Sequence, residues 1–545
     1  NQRNQRSNLA VTKEDRYRYL WENTATFQKT FNDQHNLTVL LGQVIEEGQF
    51  TPFSASRRDV PADPNQWYLN TGDPNTAVNG FVDPNDPDPF LPAKDRRISF
   101  LGRVNYTFKD RYLFTTNLRR DATSRFARDR REGFFPSVGL GWVVSDEGFL
   151  EGNSALNFLK LRASFGQLGN DQIPANSYIV TANSDIPYVF NGQQVLGATI
   201  TQIRDGSVRW ETTTEYDVAV EFGLLDNRLT GEVTYYDKTT SDALIPVNIP
   251  GILGDPNNQF ITNAADITNR GVEAALSWRA SIGTGTDWSY NIGVNATFNQ
   301  NRIANLNGGQ ALFAGANLVT RSDNGVAAGS FYLLDAVGVY QTADEIANSP
   351  RSTFGAPQIG DLRYADTNGD NVIDLLDRSY FGSYQPPIYY GLNGGLNFRN
   401  VDFSFIFSGN LENEVYNVKK QLRTTNTDNI EASFANERWT PDKPSNSEPR
   451  TLMNGMPNST YFLESGAFLR LTNVVVGYTV PGTALERFRL ASLRVFAAAQ
   501  NVFTVTNYSG FTPELAGGPL DSGIEGSTSY PISRTITLGL NVNFK

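Results

Sequence analysis

The sequence predicts an all-β protein, a transmembrane antiparallel β-barrel, and three observations support that prediction. Apolar and polar residues alternate with a period of two in about fifteen segments, and this period is typical of β-strands. The segments match or slightly exceed the ~9–11 tilted residues with which a strand crosses a bilayer. Short and long connections alternate between them. This order is typical of outer-membrane barrels, which have short periplasmic turns and long external loops.

The predicted strands occupy 16–29, 36–47, 97–109, 111–121, 134–145, 158–168, 210–224, 228–240, 269–280, 286–301, 387–399, 401–411, 466–480, 490–506 and 534–545. In the third strand, for example, Phe100 and Val104 share the apolar face, while Ser99 and Arg103 lie on the polar face. The long connections cover 48–96, 169–209, 241–268, 302–386, 412–465 and 507–533. They are rich in Asp, Asn, Pro and Gly, so we expect solvated irregular structure in them.

Composition excludes several classes of protein. The 545 residues contain no Cys and one His, His35, which lies in a polar turn. Disulfide scaffolds, thiolate zinc sites, Cys nucleophiles and multi-His metal sites are therefore excluded. The net charge of −11 argues against a nucleic-acid partner, which requires a basic face. No pair of carboxylates is marked by its spacing as a glycosidase pair, and we expect no enzymatic activity.

Soluble β-proteins are the alternatives to the barrel. A β-propeller would show a repeat of ~40–45 residues, and the sequence has none. A soluble carbohydrate-binding β-protein stays open as an alternative. Outward Phe and Tyr on long strands would, however, give a soluble protein an aggregation-prone surface. Aromatic residues near the strand ends fit the girdles that membrane barrels place at the lipid interface.

The last segment, 535–545, alternates without a break. Thr537, Gly539, Val542 and Phe544 resemble the terminal signal that the barrel assembly machinery reads, although Lys545 follows the aromatic residue. An ordinary edge strand is the alternative. A periplasmic C-terminus and about fifteen spans place the start of the first span outside, whereas single-chain bacterial barrels have an even number of strands. We therefore expect that the beginning of the barrel is absent from this chain.

A set of short motifs runs along almost the full chain. They lie at 117–121, 124–126, 133–142, 159–170, 210–216, 360–364, 366–374, 437–441, 468–473 and 499–504. In this order and spacing the sequence resembles the SusC/RagA class of TonB-dependent outer-membrane transporters of Bacteroidota. The resemblance implies a 22-stranded barrel closed by an N-terminal plug that follows a TonB box. Residues 1–545 would then be the C-terminal barrel portion, with the plug and the TonB box not in this chain.

The resemblance also implies a function. We expect active import of oligosaccharides and other glycans, or of peptides, across the outer membrane of a Gram-negative cell. TonB–ExbB–ExbD would supply the energy through the plug and the TonB box, and a SusD-like surface lipoprotein would act as a lid. Outer-membrane lipid and lipopolysaccharide would surround the barrel, and no cofactor is required. A siderophore or cobalamin receptor and a structural or adhesive surface barrel remain alternative hypotheses.

Aromatic residues in the long loops are candidate solute contacts, because flat rings stack on sugar faces and pack against peptide side chains. The alternative is that these rings pack the loops together or against the lid. The candidates are Trp67, Tyr68, Phe90, Tyr178, Tyr188, Phe313, Tyr461 and Phe462.

The segment 366–377 resembles an EF-hand loop and predicts a Ca²⁺ site. Its candidate ligands are Asp366, Asn368, Asp370, the carbonyl of Val372, Asp374 and Asp377. Position 6 is Asn371 rather than Gly, although Asn tolerates the left-handed conformation, and position 12 is an Asp rather than the longer Glu. A loop of Asx-turns without an ion is the alternative.

Arginines cluster at the outer end of one predicted hairpin, at Arg119, Arg120, Arg125, Arg128, Arg130 and Arg131. They could attract anionic solutes or lipopolysaccharide phosphates. We favour pairing with Asp121, Asp129 and Glu132 of the same loop. The family resemblance further implies that lumen-facing Arg103, Arg119 and Arg162 contact the plug.

Overall fold

Fifteen long strands dominate the computed structural model, which describes residues 7–81, 94–150, 153–180, 182–200, 203–248, 259–282, 288–315, 318–423, 429–451, 456–485, 489–526 and 529–544. The long strands are β1 (Asn8–Phe31), β2 (His35–Arg58), β3 (Asp95–Phe108), β4 (Tyr112–Thr123), β5 (Glu132–Val143), β6 (Leu156–Asn170), β7 (Glu211–Leu224), β8 (Leu229–Asn248), β9 (Gln259–Ile282), β10 (Trp288–Leu306), β11 (Ile388–Phe398), β12 (Val401–Leu411), β13 (Phe468–Thr479), β14 (Leu490–Thr506) and β15 (Thr535–Phe544).

These strands lie side by side in chain order in one hydrogen-bonded sheet, and the short strand Val78–Phe81 pairs with β2. Pairs such as β1–β2, β3–β4 and β14–β15 are antiparallel. Each predicted strand coincides with one of the fifteen, so the predicted all-β antiparallel architecture is confirmed. Among the described residues, no helix is both long enough and apolar enough to cross a membrane.

Burial along the strands is the reverse of that in a soluble protein. Phe100 of β3 is 50 % exposed, whereas its neighbour Ser99 is 1 % exposed. In β7 Tyr216 and Val218 are exposed, while Asp217 between them is half-buried. Exposed apolar side chains on one face and sheltered polar side chains on the other require an apolar solvent outside the sheet.

Tight turns join neighbouring strands at the short connections. Lys109 and Asp110, between β3 and β4, have φ values of 52° and 54°. Two consecutive left-handed residues form the turn that matches the twist of an antiparallel hairpin. Leu225, Asp226 and Asn227 adopt the same left-handed conformation between β7 and β8.

Internal contacts divide the chain into two compact units. The first comprises Asn1–Trp142, Ala163–Tyr216 and Thr239–Asp266. It contains a hairpin of Ala182–Phe190 and Gln193–Ile200, and the 3₁₀ turns Pro64–Gln66, Leu69–Thr71 and Pro74–Thr76. Its hydrophobic cluster consists of Phe126, Phe135, Ile173, Val208 and Trp210.

The second unit comprises Val143–Arg162, Asp217–Lys238 and Ile267–Lys545. Much of its loop chain is regular. Leu312–Ala314, Thr320–Ser322, Ser330–Leu333 and Ser379–Ser383 form a four-stranded sheet, here called the loop sheet. Smaller pairings join Ala336–Val339 to Leu362–Tyr364, Arg351–Ser352 to Val372–Ile373, and Glu414–Asn417 to both Leu463–Ser465 and Ile524–Glu525.

Helices complete this unit at Ala343–Ala347, Val418–Arg423, Ala432–Glu437 and Gly482–Leu485, with 3₁₀ turns at Val144–Asp146, Leu375–Asp377 and Thr460–Phe462. The described loop residues also bury a hydrophobic core, here called the loop core: Val319, Phe331, Leu333, Val339, Leu362, Tyr416, Val418, Met456 and Phe462. The prediction of irregular, solvated structure is therefore wrong for 302–386 and 412–465. Their short apolar segments pack together although Asp- and Gly-rich turns separate them in sequence.

Candidate functional site

The predicted solute contact Phe462 lies inside the loop core. Its side chain is fully buried, and its ring packs edge-on against Tyr416, with 6.0 Å between the ring centroids. A side chain without exposed surface is not available to a solute. The structure thus corrects this prediction and gives Phe462 a packing role, which was the alternative interpretation.

Tyr461 borders a cavity beside the loop core. The cavity has a volume of about 330 Å³ and is lined by Ala336, Val337, Gly338, Leu362, Asn446, Ser447, Thr460 and Tyr461. The Tyr461 hydroxyl donates a hydrogen bond of 2.5 Å to Glu448, and the Lys420 ammonium lies 4.0 Å from the ring centroid. Burial raises the pKa of Tyr461, as does the hydrogen bond to Glu448, so the phenol stays protonated.

The remaining predicted aromatic residues are distributed over both units. Trp67 and Tyr68 are 54 % and 63 % exposed, and the Trp67 indole donates to the Pro61 carbonyl at 3.2 Å. Tyr188 is exposed on the hairpin, and Tyr178 packs against the Phe126–Trp210 cluster. Phe90 lies outside the described residues. The role of these rings in solute binding stays a prediction.

Phe313 belongs to a cationic and aromatic face of the loop sheet, here called the Tyr332 face. Its members are Phe313, Arg321, Tyr332, Arg378 and Tyr380. The Arg321 guanidinium lies 4.7 Å from the centre of the Tyr332 ring, and the Arg378 guanidinium lies 4.9 Å from the same point. Phe313 was predicted from its position in a loop, but the other members were missed. The strand Ser330–Leu333 has only four residues, too few for a period in the sequence to reveal Tyr332.

Paired charges line the polar face of the first unit. The Arg119 Nε donates to both carboxylate oxygens of Asp121, at 3.0 and 2.7 Å, and its Nη2 donates to Ser99 at 3.0 Å. Arg97 pairs with Asp171. Both pairs, Arg97 with Asp171 and Arg119 with Asp121, border a cavity of about 500 Å³ together with Arg103, Phe135 and Trp210. Arg103 donates to the Asn117 side chain at 2.6 Å. The result is a polar surface on which most charge is neutralised locally.

The arginine cluster confirms the predicted internal pairing. Arg119, Arg120 and Arg130 pair with Asp121, Glu132 and Asp129 respectively. Arg125 pairs instead with Asp95 on β3, at 3.2 Å. In the second unit, Arg162 pairs with Glu232 and lies 3.5 Å from Glu221. The predicted contacts of Arg103, Arg119 and Arg162 with a plug stay a prediction.

The predicted calcium loop is an array of turns. Asp366 accepts hydrogen bonds from the backbone N–H groups of Gly369 and Asn371, at 2.7 and 2.8 Å. Asp377 is fully buried and accepts from the N–H groups of Thr367 and Asp374. The other two aspartates accept in the same way, Asp370 from Val372 and Asp374 from Leu376. Asn371 adopts the left-handed conformation, with φ of 64°.

Backbone N–H groups thus stabilise the negative charges of these carboxylates, as a bound cation would. Within the part of the chain that the structure describes, no three His, Cys, Asp or Glu side chains are grouped so that they could hold a metal ion. Calcium binding through Asp366, Asn368, Asp370, Val372, Asp374 and Asp377 stays a prediction.

The residues of the predicted assembly signal lie on β15. Gly539 faces Phe496 of β14 in the register, and Thr537 faces Ala498. Val542 and Phe544 are 38 % and 78 % exposed. β15 is thus a strand with an exposed apolar end. Its recognition by the barrel assembly machinery stays a prediction.

Comparison with known proteins places the chain in a family. Residues 1–502 match the family described as TonB dependent receptor-like, beta-barrel. TonB-dependent receptor P26 of Formosa agariphila is 30 % identical over 544 residues, which cover 96 % of this chain and 53 % of P26. TonB-dependent receptor SusC of Bacteroides thetaiotaomicron is 30 % identical over 476 residues, which cover 83 % of this chain and 44 % of SusC.

A solved structure has the same fold. The structure of the RagAB peptide transporter matches with a TM-score of 0.81 at 22 % identity, over 98 % of this chain and 56 % of that one. The chain spans about half the length of the curated relatives that it matches. The protein therefore belongs to the TonB-dependent receptor-like β-barrel family of the outer membrane.

Proposed function

We propose that this chain is the barrel portion, over residues 1–545, of a SusC-like importer of oligosaccharides, with peptides as the second class of solute. The single observation that supports this most strongly is the two-faced sheet. Apolar side chains such as Phe100 and Val218 are exposed, while sheltered polar side chains such as Ser99 and Asp217 face the other way. Such a sheet separates lipid from a watery path. The resemblance to the SusC/RagA class implies glycans as solutes, and the name of the similar RagAB peptide transporter supports peptides as the second class.

The chain's own residues suggest how passage works. Aromatic loop residues such as Trp67, Tyr68 and Tyr188 offer exposed rings for capture of a solute. Elsewhere in the same unit, Arg97 and Arg119 are neutralised by Asp171 and Asp121. A polar surface whose charges are paired with one another stays hydrated but does not bind one solute tightly. Such a surface suits the passage of a solute.

Partners follow from the same proposal. A SusD-like surface lipoprotein would cap the loops, and TonB–ExbB–ExbD would move the plug of the complete transporter through its TonB box. The exposed apolar face would contact outer-membrane lipid, and lipopolysaccharide would surround the loops. The relatives are transporters, and in this proposal the chain moves its solute without chemical change.

Uptake by cells tests the proposal. A strain without the gene is compared with the same strain carrying the complete transporter, using labelled oligosaccharides, peptides, a ferric siderophore and cobalamin. We expect the gene to restore oligosaccharide or peptide uptake, and a version without the TonB box to restore neither. Restored uptake of the siderophore or cobalamin alone would establish the receptor alternative. Unchanged uptake of all four, with a loss of surface adhesion, would establish the structural alternative.

A further inference from the structure

The loop sheet has two unlike faces. Phe331 and Leu333 point into the loop core and are fully buried. The intervening Tyr332 points the other way, where it pairs across the sheet with Tyr380, while Phe313 pairs with Arg321. The Tyr332 face is therefore built on a rigid, buried support rather than on a free loop.

Two arginines are stacked on the rings of this face. The Arg321 guanidinium lies 4.7 Å from the Tyr332 centroid and 5.4 Å from that of Phe313. The Arg378 guanidinium lies 4.9 and 5.7 Å from the same two centroids. Attraction between a cation and an aromatic face holds each guanidinium close to these rings.

Among the described residues, a carboxylate pairs with Arg321 but not with Arg378. Asp323 accepts from the Arg321 Nη2 at 2.7 Å and from the Tyr380 hydroxyl at 3.3 Å. Burial raises the pKa of Tyr380 to about 12, so this hydroxyl keeps its proton at neutral pH. Within the described residues Arg378 forms no ion pair. Its Nε donates to the Leu375 carbonyl at 3.2 Å.

The charge of Arg378 is therefore uncompensated. The pKa of its guanidinium lies below the usual value, first because the group is partly buried and also because the positive charge of Arg321 is close. A nearby anion would relieve both effects, since it would replace lost hydration and offset the repulsion between the two cations.

We propose that the Tyr332 face is a subsite for an acidic oligosaccharide, in which Arg378 binds the carboxylate of a uronic acid. This inference rests on the proposed import function and names a substrate class for it. The guanidinium offers a planar fork of N–H donors that matches a carboxylate. The half-exposed rings of Phe313 and Tyr380 beside it offer apolar surface for the C–H face of the same sugar.

Binding to the complete, detergent-purified transporter tests the subsite. The probes are tetragalacturonate, its methyl ester as a matched uncharged sugar, and tetraglutamate as an acidic peptide, each measured by calorimetry. We expect tetragalacturonate to bind at least about tenfold more tightly than the ester, since a charge-assisted hydrogen bond is lost in the ester. In Arg378→Gln the two sugars should bind equally.

Two further variants separate charge recognition from a folding defect. Arg378→Lys keeps the charge without the fork and should keep part of the preference for the acid. Arg351→Gln removes an exposed arginine of the same external segment, and it should keep the whole preference. The subsite proposal would be overturned if the unmodified protein bound the acid and the ester equally or bound neither. It would also be overturned if Arg378→Gln kept an unchanged preference for the acid. If tetraglutamate bound as tightly as tetragalacturonate, and this binding also depended on Arg378, the assignment of the subsite to sugars would be overturned.

Failure of the subsite can be told apart from failure of the import function. Cells that carry the transporter are also tested for uptake of the uncharged ester and of neutral oligosaccharides. If the cells take up these sugars but the purified protein shows no preference for the acid, only the subsite proposal is refuted. Loss of all oligosaccharide and peptide uptake refutes the import proposal as well.

Discussion

Arg494 on β14 and Asp402 on β12 form an ion pair across the strand that separates them. The Arg494 Nε and Nη2 donate to the two carboxylate oxygens of Asp402, at 2.9 and 2.5 Å. Gly477 of β13, the strand between them, lies beneath the pair. It is the cross-strand partner of Asp402 on β12 and of Phe496 on β14. The contact exists because residue 477 has no side chain: a Cβ there would lie 2.4 Å from both Arg494 and Asp402.

We predict that Gly477→Ala destabilises the folded protein by up to about 1 kcal/mol, the usual worth of a partly exposed ion pair, because the new Cβ meets the movable ends of Arg494 and Asp402. The added methyl group displaces the ion pair. Resistance of the purified protein to heat unfolding, followed by its mobility shift on gels, measures the effect. Gly482→Ala is the matched control, since a Cβ at Gly482 meets nothing within 4 Å. Equal stability of the two variants would contradict the prediction.

Phe462→Ala should loosen the loops around the loop core rather than weaken solute contacts directly. Removal of a buried phenylalanine costs about 3–5 kcal/mol, and Phe462 is fully buried. We expect faster cleavage of 302–386 and 412–465 in limited proteolysis, while Tyr188→Ala, a change at an exposed ring, leaves the rate unchanged. If solute affinity falls in Phe462→Ala with no change in proteolysis, the original interpretation of Phe462 as a solute contact is right.

Calcium binding by 366–377 predicts a heat of titration with Ca²⁺ that disappears in the double variant Asp366→Ala/Asp370→Ala. These two carboxylates are the first and third acidic or amide ligands of the proposed loop, and hard oxygen ligands suit Ca²⁺. Calorimetry on both proteins, after removal of divalent ions, makes the comparison. An identical signal in the two proteins would dispose of the site, because the turns made by Asp366 and Asp370 with the backbone would then account for the motif.

The assembly signal predicts that Phe544→Ala lowers the amount of folded protein in the outer membrane several-fold. Phe544 is 78 % exposed at the end of β15, so the loss of packing in the folded state is small. Ile536→Ala is the control, because Ile536 lies on the same face of β15, is similarly exposed and lies outside the signal. The folded fraction in isolated membranes is measured for both. Equal fractions would show that the terminal residues form an ordinary edge strand.

The strands of the sheet could be predicted because the residue pattern that identifies each strand lies within that strand. Alternation of apolar and polar residues reports which face a residue takes, and each strand such as β3 or β12 carries enough residues for the pattern to be clear. Internal pairing of Arg119 with Asp121 was predictable for the same reason, since the two residues lie two positions apart on one strand.

The loops could not be predicted in this way. The loop core joins Phe331 to Tyr416 and Phe462, which are distant in sequence and lie in strands or turns of a few residues. Segments that short do not display a period. Composition alone therefore suggested solvated irregular chain, whereas long-range burial of apolar side chains organised it.

By itself, the amino-acid sequence determined the fifteen long strands of an antiparallel sheet with one apolar face, because a period of two is imposed by backbone geometry within each strand. Only the tertiary structure decided that Phe462 is buried, that Arg494 reaches Asp402 over Gly477, and that two arginines meet on Tyr332. Those relationships depend on which distant segments pack together, and no local pattern of residues encodes that choice.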